Sequence, residues 1–204
     1  SLSIETQMPE VPRFAMYAGC VVDELSWEMR RSGLLTGTVK MIAQKETVAP
    51  ATAAGTLTAL NLQRFGHFNG SITRDGSAIA NITAARINYK NGLEKIEAIR
   101  ADGNIEGLDP SMAMLSGTLE ARFSDLTLFN QAIAGTPCTL VFAHTIGPNA
   151  SLVLTAHEVY LPRPRVSIEG PGGIQATFDW QAAKAQLTPF RMATAVLTNT
   201  VASY

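Results

Sequence analysis

The side chains that most often carry protein chemistry are few in this chain of 204 residues, and they are widely spaced. The three histidines are His67, His144 and His157, and the last two fall on neighbouring predicted strands that could bring them close. Neither Asp nor Glu stands at a metal-ligand spacing from them, so polar-face or interface histidines are favoured over a metal site. We therefore expect no metal and no other cofactor.

The motifs of common enzyme classes are missing from the sequence. Residues 170–173 read GPGG, but neither GKS or GKT nor a helical pattern follows, which favours a strand-linking turn over a phosphate loop. The sequence has no GxSxG, and Cys20 and Cys138 have no His nearby in sequence, so neither a serine nor a cysteine nucleophile is indicated. The two cysteines are far apart in sequence and lack metal-ligand spacing, which favours two buried free thiols over a disulfide. A glycosidase pair could be formed by Glu94 and Glu97 or by Glu24 and Glu28, but acidic residues are common on solvated strands. We expect a protein that is not an enzyme.

Composition narrows the choice of partners. Charged residues make up 16% of the chain and the net charge is −1, against a usual charged share of about 25%, so no basic field attracts nucleic acid. The sequence has no apolar run of the roughly 18 residues that a membrane helix needs, so no membrane partner is expected. The chain starts without Met, inside an alternating pattern, and we expect the native protein to carry a further N-terminal portion.

Any functional side chains of this protein must be positioned by strands, because the sequence alternates between apolar and polar residues. Residues 114–125 read MLSGTLEARFSD, with Leu115, Gly117, Leu119, Ala121 and Phe123 on one face and Ser116, Thr118, Glu120 and Arg122 on the other. Residues 22–30 alternate in the same way, and residues 35–41 predict an inner side of Leu35, Gly37, Val39 and Met41. The short link RRSG predicts that the two segments form a hairpin.

The remaining pattern predicts a mainly β protein. Further strands are expected at about 66–73, 77–89, 139–145, 152–161, 165–169, 174–181 and 191–199. One short helix is expected at about 125–134, with Ser124 or Asp125 as its N-cap, Gly135 as its stop and an apolar side of Leu126, Phe129, Ala132 and Ile133. Residues 44–61 form an Ala/Thr-rich loop or extended arm. Together these elements indicate a single antiparallel β-sandwich or barrel domain over 1–204 with an inserted arm.

The order of these segments resembles the tail tube (major tail) proteins of long-tailed, non-contractile bacteriophages. The resemblance runs through SLSIETQ, YAGCVVDELSWEM, GLLTGTVKMIAQKE, the NGLE turn, SGTLEARFSD with its helix, and the strand pair linked by GPGG. It covers most of the chain and rests on order and spacing, because none of these segments is a catalytic motif.

The resemblance implies a structural virion protein that assembles in the host cytoplasm. Such subunits are β-sandwiches that form hexameric rings, and the rings stack into a tube for DNA ejection. The implied partners are further copies of the chain and other tail proteins at the tube ends, while double-stranded DNA passes through without specific binding. Phosphate affinity grows with each Lys or Arg contact, so polar strand faces with few cations suit a conduit.

Two sets of residues are assigned on this basis. The candidate lumen-lining residues are Glu24, Ser26, Glu28, Thr36, Thr38, Ser116, Thr118 and Glu120, with Lys40 and Arg122 as cations that fit poorly unless they pair with the acids. The candidate ring-stacking residues in the arm are Thr47, Val48, Ala49, Thr52 and Leu57. For the lumen set, a face that simply meets water is the competing interpretation.

Two other functions remain open on the sequence. The tube protein of a type VI secretion system shares the implied architecture, but the length and the arm favour a phage tail. A carbohydrate-binding or adhesive β-sandwich would expose aromatic side chains for stacking on sugars. Aromatic residues make up only 7% of this chain, and Trp27 and Trp180 both fall on predicted apolar faces.

Overall fold

A computed structural model describes residues 2–8, 10–56, 62–79, 81–99, 101–122, 126–163 and 175–201. Fourteen strands and one α-helix follow one another in these residues: β1 (Leu2–Met8), β2 (Arg13–Arg30), β3 (Thr36–Ile42), β4 (Lys45–Ala49), β5 (Gly70–Arg74), β6 (Ser77–Ala78), β7 (Ile82–Lys90), β8 (Leu93–Ile96), β9 (Gly107–Pro110), β10 (Met114–Arg122), α1 (Thr127–Ala134), β11 (Cys138–Gly147), β12 (Ala150–Tyr160), β13 (Gln175–Ala183) and β14 (Ala193–Thr198). The fold is an antiparallel β-sandwich with one helix, which confirms the predicted class.

The chain divides into two compact units. Unit 1 comprises Ser1–Leu25, Thr38–Leu62 and Lys90–Ala113, and unit 2 comprises Ser26–Gly37, Gln63–Tyr89 and Met114–Tyr204. Strands β2 and β3 contribute residues to both units. The prediction of a single domain stays a prediction.

Unit 1 is built on the first part of β2. Strand β1 pairs with it from Leu2↔Cys20 to Met8↔Arg13, and β4 pairs with it from Phe14↔Ala49 to Ala18↔Lys45. This stretch of β2 was not predicted, because its run of apolar and small residues does not alternate. The strand β4 also shows that the predicted arm begins as a paired strand rather than as a loop.

A two-stranded hairpin, β8–β9, completes unit 1. Asp23 holds its entry, because the carboxylate accepts the backbone N–H of Leu93 at 3.0 Å and its carbonyl accepts that of Asn91 at 2.6 Å. Gly92 has a φ of 67°, and a Cβ there would lie 2.8 Å from the Met112 carbonyl oxygen, so the Asn91-Gly92 turn depends on glycine.

Unit 2 contains the hydrophobic core. Its strands follow the order β7-β10-β13-β12-β11-β5-β6, with β14 on β12, and β12 meets β13 through only three residue pairs. Trp180 of β13 stacks on Phe142 of β11, with ring centroids 5.5 Å apart, so the two sheet faces enclose a common interior. The predicted turn at 74–76 is confirmed, since Asp75 and Gly76 both have positive φ, as a tight hairpin requires.

Helix α1 lies against this core with only part of the predicted side, since Ala132 is buried and Phe129 is partly buried. Leu128 and Ala132 are its buried residues, spaced one turn apart, whereas Leu126 and Ile133 are about half exposed. The N-cap position is Leu126, which precedes the helix and does not share its periodicity, while Ser124 and Asp125 lie outside the described residues. Gly135 ends the helix in the left-handed conformation, as predicted.

Candidate functional site

Strand β10 in unit 2 presents a polar outer face. Its inward residues Leu115, Leu119 and Ala121 are buried. The outward residues are Ser116 and Thr118, which are partly exposed, and Glu120 and Arg122, which are exposed. The predicted alternation of this strand is confirmed over the described residues 114–122, and its position on a lumen stays a prediction.

Strand β13 extends the same face, which the sequence analysis did not propose. In the β10–β13 register Gln181 lies opposite Ser116, Asp179 opposite Thr118 and Thr177 opposite Glu120. Alternate residues of β13 are buried, and the outward ones are exposed: Gln175, Thr177, Asp179 and Gln181. The alternation in QATFDWQAA carried this signal, but the sequence predicted only a strand there, with no role for its polar side.

Gly117 allows β10 to approach its neighbours closely. A Cβ at this position would lie 1.9 Å from the Arg86 carbonyl oxygen and 2.6 Å from Cζ2 of Trp180. Both distances are far below van der Waals contact, so any larger residue would displace backbone or the Trp180 ring. The outward residues Ser116 and Thr118 therefore lie on a strand whose position is fixed by the β7 backbone and the Trp180 ring.

Glu28 neutralises two cations on this side of unit 2. Its carboxylate lies 2.8 Å from Nη2 of Arg30 and 3.3 Å from Nε of Arg86 on β7. The Arg30 hydrogen bond, with a smaller contribution from Arg86, holds the pKa of Glu28 below its ordinary value, although desolvation opposes the shift. The same pair raises the pKa of Arg30, to which the charge of Glu120 adds. Glu120 therefore lies within electrostatic reach of this cluster.

The other unit 2 candidates lie on β2 and β3. Ser26 is partly exposed and Thr36 is exposed. A Cβ added at Gly37 would lie 3.2 Å from the Ser26 carbonyl oxygen, so the two strands lie side by side here, as the predicted hairpin requires. These positions are accessible, and their assignment to a lumen also stays a prediction.

In unit 1, the cation that fitted the lumen assignment poorly is paired. Lys40 on β3 forms an ion pair with Glu24 on β2, and Thr38 on the same strand is exposed. Arg122 in unit 2 differs, because it takes part in none of the ion pairs among the described residues. Lys40 therefore pairs with an acid, as its place in the lumen set requires, while Arg122 remains the cation that suits a lumen face poorly.

The arm residues have distinct surroundings in unit 1. Thr47 and Val48 on β4 are exposed, Ala49 is partly exposed, and Leu57 lies outside the described residues. Thr52 donates from Oγ1 to Oε1 of Glu5 at 2.6 Å, and the backbone N–H of Ala53 donates to the other carboxylate oxygen at 2.8 Å. These bonds, with Thr52 first, lower the pKa of Glu5. The arm is therefore fastened to β1 at one point.

The expected proximity of His144 and His157 is wrong. His144 pairs with Leu152 in the β11–β12 register, and the five residues from there to His157 span roughly 16 Å of strand. His144 is only 1% exposed and lies beside the Phe65 ring, whereas Nε2 of His157 lies 2.7 Å from Oγ1 of Thr194. Among the described residues, no group of three or more His, Cys, Asp or Glu could hold a metal ion. Both cysteines are buried free thiols, as predicted.

These features define a class of protein: a β-sandwich whose distinctive surface is a polar sheet face with paired charges. In the part of the chain that the structure describes, no helix is long and apolar enough to cross a membrane. The sequence matches the model of the family described as phage tail tube protein over residues 2–182. No curated protein matches it.

The chain therefore belongs to the phage tail tube protein family, and its resemblance to tail tube proteins is confirmed. It is a structural protein of the virion tail, in a family whose members assemble with one another and with other tail proteins into a tube.

Proposed function

We propose that this chain is a non-enzymatic subunit that forms hexameric rings, and that the rings stack into a tube through which DNA is ejected. The observation that carries this proposal is the polar face of β10 and β13, where Ser116, Thr118 and Glu120 lie opposite Gln181, Asp179 and Thr177. A face of hydroxyls, amides and acids over an apolar interior suits the wall of a water-filled conduit.

The charges near this face support the passage of DNA without binding. Arg30 and Arg86 are both held by Glu28, which lowers the number of free cations that a phosphate backbone could contact. Each neutralised phosphate strengthens binding to DNA, so a conduit that retains few unpaired guanidinium groups retains little affinity. Arg122 is the exception on this face, because it takes part in none of the ion pairs among the described residues.

Dimensions also suit the proposal. If each of six subunits contributes about four strands, a barrel of roughly 24 strands with ~4.8 Å spacing and ~40° tilt is roughly 48 Å across. Side chains of about 5 Å on each wall leave a bore of roughly 40 Å, which admits duplex DNA of about 20 Å. Continuous strand pairing between subunits would also occupy the open sheet edges.

The arm is the proposed contact between successive rings. Thr47, Val48, Ala49, Thr52 and Leu57 are its candidate residues. Val48 is 52% exposed on β4, and the bond between Thr52 and Glu5 holds the arm against β1. An arm that is anchored at Thr52 has less conformational freedom to lose when it contacts a neighbouring ring.

Electron microscopy of the concentrated protein tests the proposal. Rings or tubes with a central hole near 40 Å are expected, assembled from further copies alone, with other tail proteins needed only at the tube ends. In assembled particles, Glu28→Lys and Glu120→Lys should fold normally but slow DNA ejection. A chain that stays monomeric at high concentration, or variants with unchanged ejection, would contradict the ring and the lumen assignment respectively. Assembly in the host cytoplasm predicts that tubes form on intracellular expression.

A further inference from the structure

A cavity of about 350 Å³ opens in unit 2 beside the end of β2. Its apolar part is formed by Met29, Ile72, Ile79 and Ile82, and Arg31 lies at the cavity. A depression of this size and lining accepts an aliphatic side chain, because removing apolar surface from water is favourable.

The charge around this cavity is positive. Arg30, which also lines it, has its guanidinium held by Glu28 at 2.8 Å. Arg31 is exposed and takes part in none of the ion pairs among the described residues. The cavity thus offers an aliphatic interior next to one available guanidinium, which calls for an aliphatic group accompanied by a carboxylate.

One face of the β8–β9 hairpin in unit 1 has the matching chemistry. The register places Glu94 opposite Asp109 and Ile96 opposite Gly107, so these four residues share a face. Two carboxylates that face each other across strands repel, and neither forms an ion pair within the described residues. Ile96 is 37% exposed, and its Cδ1 lies over Gly107, 3.6 Å from where a Cβ would be.

We propose that the acidic face of the β8–β9 hairpin from one copy docks on the Arg31 cavity of a second copy. Ile96 enters the apolar interior, and Glu94 and Asp109 approach Arg31. The inference rests on the proposed self-assembly and adds a specific contact between subunits to it. Charge complementarity is the argument for this occupant, because the contact relieves the repulsion of the two carboxylates and neutralises the guanidinium together.

The contact joins two different surfaces, so it is heterologous. Every copy that uses its hairpin on one neighbour still presents an open cavity to another, and such contacts build closed rings or open stacks rather than dimers. Docking by this route is therefore consistent with either direction of growth in a tube.

Charge reversal tests the proposal in the full-length chain, with association followed by sedimentation velocity. We expect Arg31→Glu and Glu94→Lys each to weaken association by at least about tenfold, and the double variant to recover most of that loss. The control is Lys95→Glu, on the opposite face of the same hairpin, which should associate like the unchanged chain. Single variants that associate normally, or a double variant that recovers nothing, would overturn the proposal.

Cross-linking provides a second test, which reports on which residues meet rather than on the mass of the assembly. Two tagged chains are mixed, one with Ile96→Cys and the other with Ser71→Cys at the cavity, and oxidised. The native thiols Cys20 and Cys138 are buried and do not compete. We expect a mixed disulfide at least about tenfold more abundant than with Lys95→Cys as the control, because effective concentration governs its yield.

The two proposals fail separately. Tubes that form without the mixed disulfide would overturn the hairpin contact and leave the ring proposal standing. A mixed disulfide in a protein that forms neither rings nor tubes would support the hairpin contact and count against the rings. Cross-linking no greater than that of the control overturns the contact in either case.

Discussion

Glu28 on β2 and Arg86 on β7 are 58 residues apart in sequence, and their charged groups lie 3.3 Å apart. The same carboxylate also holds Arg30, so one acid neutralises two cations next to the proposed lumen face. The relation is a matter of charge balance more than of stability, because exposed ion pairs contribute about 0–1 kcal/mol.

Substitution of Glu28 should leave Arg30 and Arg86 without their ion-pair partner. For Glu28→Gln we expect binding to a short DNA duplex to strengthen at low salt, with a salt slope steeper by about 1–2, since two guanidinium groups become available to phosphates. Fluorescence anisotropy at several salt concentrations measures this change. Glu97→Gln alters the net charge equally, but Glu97 takes part in none of the described ion pairs and should change nothing. Equal affinities for the two variants would contradict the prediction.

Gly117 should tolerate no side chain. We expect Gly117→Ala to lower the free energy of unfolding by about 2 kcal/mol or more, because its Cβ would overlap the Arg86 carbonyl oxygen and the Trp180 ring. Urea unfolding measures the loss. Gly147→Ala is the matched control, with no heavy atom within 4 Å of its Cβ position and an expected change within about 0.5 kcal/mol. A Gly117→Ala chain as stable as this control would show that β10 can move away.

His144 should make the fold sensitive to acid. Burial, followed by the charge of His67, lowers the pKa of His144 from 6.5 in the folded chain, and its Nε2 has no hydrogen-bond partner among the described residues. As the pH falls below 6.5, the unfolded chain binds a proton that the folded chain does not, so stability declines.

Removal of the titrating ring tests this dependence. We expect His144→Phe to lose less unfolding free energy between pH 7.5 and pH 5 than the unchanged chain does, whatever its stability at neutral pH. Urea unfolding at a series of pH values measures the slope, and His157→Gln is the comparison histidine. If His144→Phe keeps the full slope, other groups cause the acid sensitivity.

Thr52 should fasten the arm to β1. For Thr52→Val we expect faster hydrogen exchange at the Ala53 amide, because Glu5 loses its strongest hydrogen bond and holds that amide less well. Exchange should also accelerate in the unchanged chain as the pH falls through the lowered pKa of Glu5, once the intrinsic pH dependence is subtracted. Thr47→Val on β4 should leave Ala53 unaffected. Equal exchange in both variants would place the anchor elsewhere.

Strand alternation predicted the parts of the fold where one side is buried within unit 2. Leu115, Leu119 and Ala121 of β10 are buried as expected, because a period of two assigns each residue to one face. The first half of β2 was missed, since it is paired on both edges and its sequence does not alternate. Pattern alone does not report which strands lie side by side, so the pairing of Glu28 with Arg86 was also missed.

Two expectations were wrong because the spacing of apolar residues along a strand does not show what lies next to that strand. His144 and His157 lie on paired strands, but the antiparallel register sets their positions along the strands far apart. For β3, alternation correctly separated Val39 and Met41 from the threonines but assigned them to the interior, and they are 49% and 37% exposed. Alternation identifies the apolar face of a strand, but it does not show whether another part of the protein packs on that face.

The exposed strand β3 affects how readily newly made subunits aggregate in the cell. Strand β3 has β2 as its only partner strand among the described residues, and Val39 and Met41 expose apolar surface on one face beside its unpaired edge. Such an edge is a template on which any extended chain can add, whether a correct neighbour or an aggregate. Lys40 lies on β3 and Lys45 begins the next strand, β4, and charges in and beside such a strand slow indiscriminate pairing. Assembly into a tube therefore competes with aggregation for newly made subunits, and it must be the faster of the two processes.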